Sequence, residues 1–175
     1  MSGRRVLLGV TGSIAAYKAA ELVRLFVKAG DGVTVVMTPA ACRFVQPLTF
    51  QTLSRNQVYV DQFAPPAEWK PEHVALADAA DLVVVAPATA NTLAKMRFGI
   101  ADNLLTSVLL ATRAPVFVAP AMNDGMWDNA ATRDNVAALA ARGVRVVAPA
   151  EGELACGTSG RGRMASPQTI FEALA

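Results

Sequence analysis

Five short apolar runs rich in β-branched residues recur along the chain, and helical patterns separate them. Arg4–Val10 (RRVLLGV), Val33–Met37 (VTVVM), Leu82–Ala86 (LVVVA), Val116–Ala119 (VFVA) and Val144–Val147 (VRVV) lack the polar alternation of a half-exposed strand. Such runs read as strands buried on both faces. The pattern between them predicts helices over Ser13–Ala29, Asn91–Lys95, Asn103–Ala111 and Ala130–Ala141. In the first helix Ile14, Tyr17, Leu22, Leu25 and Phe26 are expected to face the sheet, and Gly30 to end it. Strand–helix alternation of this kind specifies an α/β fold, a Rossmann-like doubly wound parallel sheet, with residues 1–175 forming a single domain.

Composition fits that architecture. The chain is 53% hydrophobic, an excess that a doubly covered sheet and burial between subunits together account for. The formal charge is +2 and no Lys/Arg block exceeds two residues, so no nucleic-acid partner is indicated. The start, MSGRRVLLGV, imitates a signal peptide, but its apolar run stops after five residues at Thr11-Gly12. Arg113 and Pro115 interrupt the most apolar region, so no membrane-spanning helix is expected. Cys42 and Cys156 are far apart and share no repeated spacing. They suggest neither a metal site nor a disulfide framework, and a cytoplasmic setting is the expectation. Phe63–Glu72 (FAPPAEWKPE) carries three prolines and reads as an irregular excursion.

Three strand ends offer ligand chemistry. After the first strand, Gly12 permits a sharp turn, and Ser13 either caps the helix or offers its hydroxyl and amide to an anion at the positive helix end. The second strand ends in Thr38-Pro39-Ala40. The acid that binds a dinucleotide ribose is missing there, which counts against NAD and suits a mononucleotide. Pro87–Thr92 (PATANT) and Pro120–Trp127 (PAMNDGMW) place amide and hydroxyl residues at the carboxyl ends of neighbouring strands. Each of these loops has a plainer reading as a helix cap, with Thr89 or Asn91 capping one helix and Asn123 another. A last segment, Leu154–Met164 (LACGTSGRGRM), is dense in glycine and holds one of the two cysteines.

Together PATANT, PAMNDGMW and LACGTSGRGRM resemble the hallmark motifs of the homo-oligomeric flavin-containing cysteine decarboxylases. The similarity runs from VLLGVTGSIAAYK to the end of the chain. It implies FMN as cofactor, with Gly12, Ser13 and Ile14 at its phosphate, Thr38 beside it, and Thr89, Ala90, Asn91, Thr92 and Ala121 along the remainder. It implies 4′-phosphopantothenoylcysteine as the small-molecule substrate, converted to 4′-phosphopantetheine and carbon dioxide. The carboxylate has no electron sink until the thiol is oxidised to a thioaldehyde by hydride transfer to FMN. After carbon dioxide leaves, the reduced flavin returns the electrons to the enethiol.

By the same resemblance His73, the one histidine, acts as a base, Asn123 holds the substrate carboxylate, and Met126 lies near the reacting group. Cys156 protonates the enethiolate, on a flap that Gly152, Gly157, Gly160 and Gly162 allow to close and open. Arg161 or Arg163 reaches a substrate phosphate or stays solvated, and Cys42 is a packing residue. The resemblance further implies a homotrimer, in some relatives a dodecamer, with FMN at the subunit interface and His73 serving a neighbour's flavin. Many bacterial relatives continue into a ligase domain where this chain ends, so a stand-alone enzyme and a fragment both fit. A peptidyl-cysteine decarboxylase that stops at an aminoenethiol is the main rival. Flavin prenyltransferases and non-catalytic flavoprotein regulators fit the motif set less well.

Overall fold

A computed structural model describes residues 3–64, 69–153, 157 and 159–174. Six parallel strands form the main sheet: β1 (Arg5–Val10), β2 (Gly32–Met37), β3 (Val58–Tyr59), β4 (Leu82–Ala88), β5 (Val116–Pro120) and β6 (Arg145–Val146). Their order is β3-β2-β1-β4-β5-β6, the doubly wound arrangement. The chain leaves β1 toward one edge and returns to β4 on its other side. The carboxyl ends of β1 and β4 therefore diverge into a crevice, where open α/β sheets bind ligands.

Strand geometry explains the unbroken apolar runs. Successive side chains point to opposite faces, and both faces are covered. Val6, Leu8, Val10, Val84 and Ala86 pack on one side, in a core shared with α1 (Ala16–Lys28), α2 (Pro47–Ser54) and α8 (Pro167–Ala173). Leu7, Val36, Val83, Val85 and Val118 face the other side. There α3 (Glu72–Ala79), α4 (Ala90–Phe98), α5 (Leu104–Ala111) and α7 (Ala130–Ala141) complete the layer. Phe26 of α1 meets Phe171 of α8 edge to face, with centroids 5.4 Å apart.

The first helix departs from expectation. It begins at Ala16 rather than Ser13, and its buried side is Ala16, Ala19, Leu22, Val23 and Phe26. Ile14 and Tyr17 are 57% and 60% exposed, so neither faces the sheet. Both line the crevice at the strand ends instead. Helical spacing cannot distinguish an apolar residue packed on a sheet from one that walls a ligand site.

Several elements had no expected counterpart. α2, the two-residue β3, α3 and α8 fill out the layers. A short helix, α6 (Asp124–Asp128), follows β5, and β7 (Ala150–Glu153) pairs antiparallel with β8 (Ser159–Arg163) outside the main sheet. Cys42 lies on a single 3₁₀ turn and packs partly buried against the α1-side core, and that burial pushes its thiol pKa up. No helix among the described residues is long and apolar enough to cross a membrane.

Candidate functional site

The crevice is a cleft of about 1050 Å³, at the upper end of the roughly 300–1,000 Å³ common for small-molecule sites. Its floor is the set of strand ends, and the loops after β1, β2, β4 and β5 contribute. Gly12, Ser13 and Ile14 enter from the turn after β1, and Thr38 from the end of β2. Thr89, Ala90, Asn91 and Thr92 come from the β4–α4 junction. Ala121, Asn123 and Met126 come from the segment after β5. The sequence motifs, distant along the chain, thus meet in one place.

The turn after β1 is built by close approach. A Cβ on Gly12 would sit 2.6 Å from the Cβ of Ala40, so the β1 and β2 turns touch where any larger residue would separate them. The Ser13 hydroxyl accepts a hydrogen bond from the Ala15 N–H at 3.2 Å, and no side chain caps α1. The start of α1, with its partial positive charge, thereby opens on the cleft. Thr38 is buried, and its hydroxyl accepts from the Ala41 N–H at 3.2 Å, which fixes the second turn.

A residue to which the sequence reading gave no role ties these turns to the next motif. Thr11, 1% exposed, donates its hydroxyl to the Pro87 carbonyl at 2.7 Å and accepts from the Thr89 N–H at 3.1 Å. Each bond satisfies a backbone group that would otherwise be stranded at the strand ends. Thr89 then caps α4, its hydroxyl accepting from the Thr92 N–H at 3.3 Å. Asn123 similarly caps α6, accepting from the Gly125 N–H at 2.9 Å. Both residues are helix caps and both line the cleft, so the two readings of each are not exclusive. A second α-helix start, that of α5, is closed by an Asn103–Thr106 capping box beside the Lys95–Asp102 ion pair at 2.6 Å.

The late glycine-rich segment forms one wall. Its described residues include β8, which pairs with β7 and docks against the segment after β5. The Met122 N–H donates to the Gly162 carbonyl at 3.0 Å. Gly162 has φ +133°, and a Cβ there would lie 2.4 Å from the Met122 carbonyl oxygen. This glycine is required for docking, a different reason from the mobility expected of a flap. Arg163 and Met164, which follow it, line the cleft. Arg161 reaches Asp128 at 3.4 Å on the outside, so the two arginines have different surroundings.

Of the two expected catalytic residues, His73 and Cys156, the first is described. His73 occupies the first turn of α3, half-buried, and does not line the cleft of its own chain. Helices in this fold run antiparallel to the strands, so the start of α3 lies toward the carboxyl edge of the sheet. Cys156 lies outside the described residues.

Lys18 was also overlooked as a site residue. It lines the cleft from the first turn of α1, where burial, and secondarily the nearby positive charge of Arg163, hold its pKa below the usual lysine value. Its signal in the sequence was weak because a lysine on an amphipathic helix ordinarily faces solvent.

Residues 1–175 match the Flavoprotein family, and the chain belongs to it. It is 50% identical over 172 residues to the coenzyme A biosynthesis bifunctional protein CoaBC of Bacillus subtilis (strain 168), covering 98% of this chain and 42% of that protein. It is 46% identical over 171 residues to the probable phosphopantothenoylcysteine decarboxylase of Streptococcus mutans, covering 97% of this chain and 96% of that one. The chain spans less than half the length of the bifunctional relatives it matches. Among solved structures, a PPC decarboxylase variant complexed with pantothenoylaminoethenethiol aligns with a TM-score of 0.89 at 34% identity, covering 98% and 96% of the two chains. The FMN binding protein AtHal3 aligns with a TM-score of 0.85 at 34% identity, covering 98% and 94%.

Proposed function

We propose that residues 1–175 act as one FMN-binding domain that decarboxylates 4′-phosphopantothenoylcysteine to 4′-phosphopantetheine. The observation that carries this reading is the meeting of three motif segments around one cleft at the strand ends. The lining suits a flavin mononucleotide: hydroxyls of Ser13 and Thr38 and the start of α1 at one end, small and apolar groups such as Ala90 and Ala121 elsewhere. Gly12 and Ile14 would complete the phosphate end, and Thr89, Asn91 and Thr92 would border the ring. FMN held there would supply a reversible two-electron sink for a hydride from the carbon that bears the substrate thiol.

The protein's own groups do the rest. Asn123 holds the substrate carboxylate beside Met126, which excludes water from the reacting carbon. His73 takes the thiol proton as the hydride leaves, giving the thioaldehyde that can lose carbon dioxide. It comes from a second copy of the chain, since it does not line its own cleft. The working unit is accordingly a homo-oligomer, a trimer or a dodecamer built from trimers, in the cytoplasm. Trp69 and Phe63, 92% and 84% exposed, and Leu48 at 70% are apolar surface that such an assembly would cover. Cys156 protonates the enethiolate as it is reduced to the thiol.

The test is incubation of the flavin-loaded protein with 4′-phosphopantothenoylcysteine and, separately, with a peptide ending in cysteine, followed by mass spectrometry. The expected product is the saturated thiol 4′-phosphopantetheine from the small molecule and none from the peptide. An enethiol formed on the peptide, with the small molecule untouched, would overturn the assignment.

A further inference from the structure

Two cations face the cleft with no acidic partner among the described residues. Lys18 projects from the first turn of α1, and Arg163 from the end of β8, with its guanidinium beside Gly152 of β7. The ion pairs of the described residues involve Arg4, Arg5, Lys70, Lys95, Arg133 and Arg161, and neither of these two. The first turn of α1 holds no acidic residue. A lysine at that end of a helix meets the positive end of the helix dipole, an unfavourable placement. Partial burial of Lys18 and the nearby like charge of Arg163 add to the cost. An anion bound between them would reverse all three penalties at once.

We propose that Lys18 and Arg163 form a subsite for the terminal phosphate monoester of the substrate, separate from the turn at Gly12 and Ser13 that would hold the flavin phosphate. This rests on the decarboxylase reading above and adds to it the group that selects a phosphorylated small molecule over a peptide. Lys18 shares the start of α1 with the Ser13 turn, so the separation rests on Arg163. The Ser13 turn offers hydroxyl and N–H donors beneath the strand ends. Arg163 belongs to the wall docked on the 121–124 segment, which carries Asn123, the residue proposed above to hold the substrate carboxylate. A dianionic phosphate suits this pair, with a guanidinium fork on one side and an ammonium point charge on the other. Arg161, two residues earlier, is engaged with Asp128 and takes no part.

The experiment is calorimetric titration of the flavin-loaded protein with 4′-phosphopantetheine and with pantetheine. The wild type is expected to favour the phosphorylated ligand by about 10- to 100-fold, the worth of charge-assisted bonds to both groups. Lys18→Met and Arg163→Met should each remove most of that ratio, while Arg161→Met keeps it; circular dichroism checks that each variant is folded. Equal wild-type affinities, or a ratio untouched in both variants, would overturn the subsite. So would variants that keep the ratio but lose their preference for FMN over riboflavin, because the pair would then serve the flavin phosphate. If the wild type shows the phosphate preference yet decarboxylates nothing, the subsite stands and the decarboxylase reading falls. If it decarboxylates 4′-phosphopantothenoylcysteine with no phosphate preference, the subsite alone falls.

Discussion

The two glycine-bearing walls of the cleft, the turn after β1 and the β7–β8 pair, are made differently. The turn is part of the sheet's own framework. Gly12 abuts Ala40, and Thr11 spans to Pro87 and Thr89, so the first two strand ends and the PATANT loop hold one another in place. The β7–β8 pair lies outside the six-stranded sheet and meets the site through the segment after β5, with the Gly162 carbonyl accepting from Met122. One wall is fixed by the fold that creates it. The other is added to the fold by a local backbone match, so it can be damaged without harming the sheet.

The largest effect that separates the walls is expected at Gly162→Ala. The new Cβ would lie 2.4 Å from a backbone oxygen, at a φ of +133° that L side chains rarely adopt. Strain of this kind costs about 1–3 kcal/mol before the clash is counted, and the least costly relief is undocking of the hairpin. Displacement of Arg163 and its neighbours by an ångström should lower kcat/KM by about 100-fold or more. Flavin binding and the thermal transition of the sheet should change far less. Turnover, flavin absorbance and melting temperature measured on one preparation check this; equal loss of all three would mean that the hairpin is integral to the sheet's stability.

Gly12→Ala should show the opposite profile. Its Cβ would press on Ala40 at 2.6 Å, forcing the first two turns apart at a cost of about 1–3 kcal/mol. Flavin retention should fall by about tenfold or more, and turnover should recover when excess FMN is added. Ala40→Gly removes the colliding atom, so the double variant should regain much of the lost flavin affinity. Dialysis against flavin-free buffer measures the retained fraction. Failure of the second substitution to rescue the first would show that Gly12 matters for backbone conformation and not for its contact with Ala40.

This contrast also explains how far the sequence could be read. The strands were legible because burial on both faces leaves an unbroken apolar run, as in Leu82–Ala88. The cleft-lining loops were legible because PATANT and PAMNDGMW are local strings at strand ends. What escaped depends on contacts between distant segments. Thr11 resembles any residue at a strand end until Pro87 and Thr89 come within reach. Lys18 gains significance when the charge of Arg163, far along the chain, is brought near it at the same cleft. Ile14 and Tyr17 were assigned to the sheet because cleft walls and core faces share helical spacing. The close approaches of Gly162 to the Met122 backbone and of Gly160 to the Asp124 side chain were hidden because neither partner is adjacent in sequence.

The smallest expected effect belongs to a site that should not distinguish the walls at all. Arg5 and Asp81 join the amino ends of β1 and β4, opposite the cleft, with an Arg5 guanidinium nitrogen 2.6 Å from the carboxylate and the Arg5 N–H at 2.8 Å. Those bonds push the Asp81 pKa down to about 2 from an ordinary 3.8. A carboxylate with a depressed folded-state pKa binds its proton more readily when unfolded. Its contribution is therefore fully present above pH 3.8 and is lost as the pH falls through about 2. The pair is exposed, so solvent screening keeps that contribution small. Asp81→Asn should lower the melting temperature slightly at neutral pH, and the gap from wild type should close across that acid window. Flavin retention and kcat/KM should stay at wild-type values, since the amino ends of the strands carry neither wall. A loss of flavin in this variant would mean that β1 and β4 transmit strain along their length, and the two walls could then no longer be treated as separable.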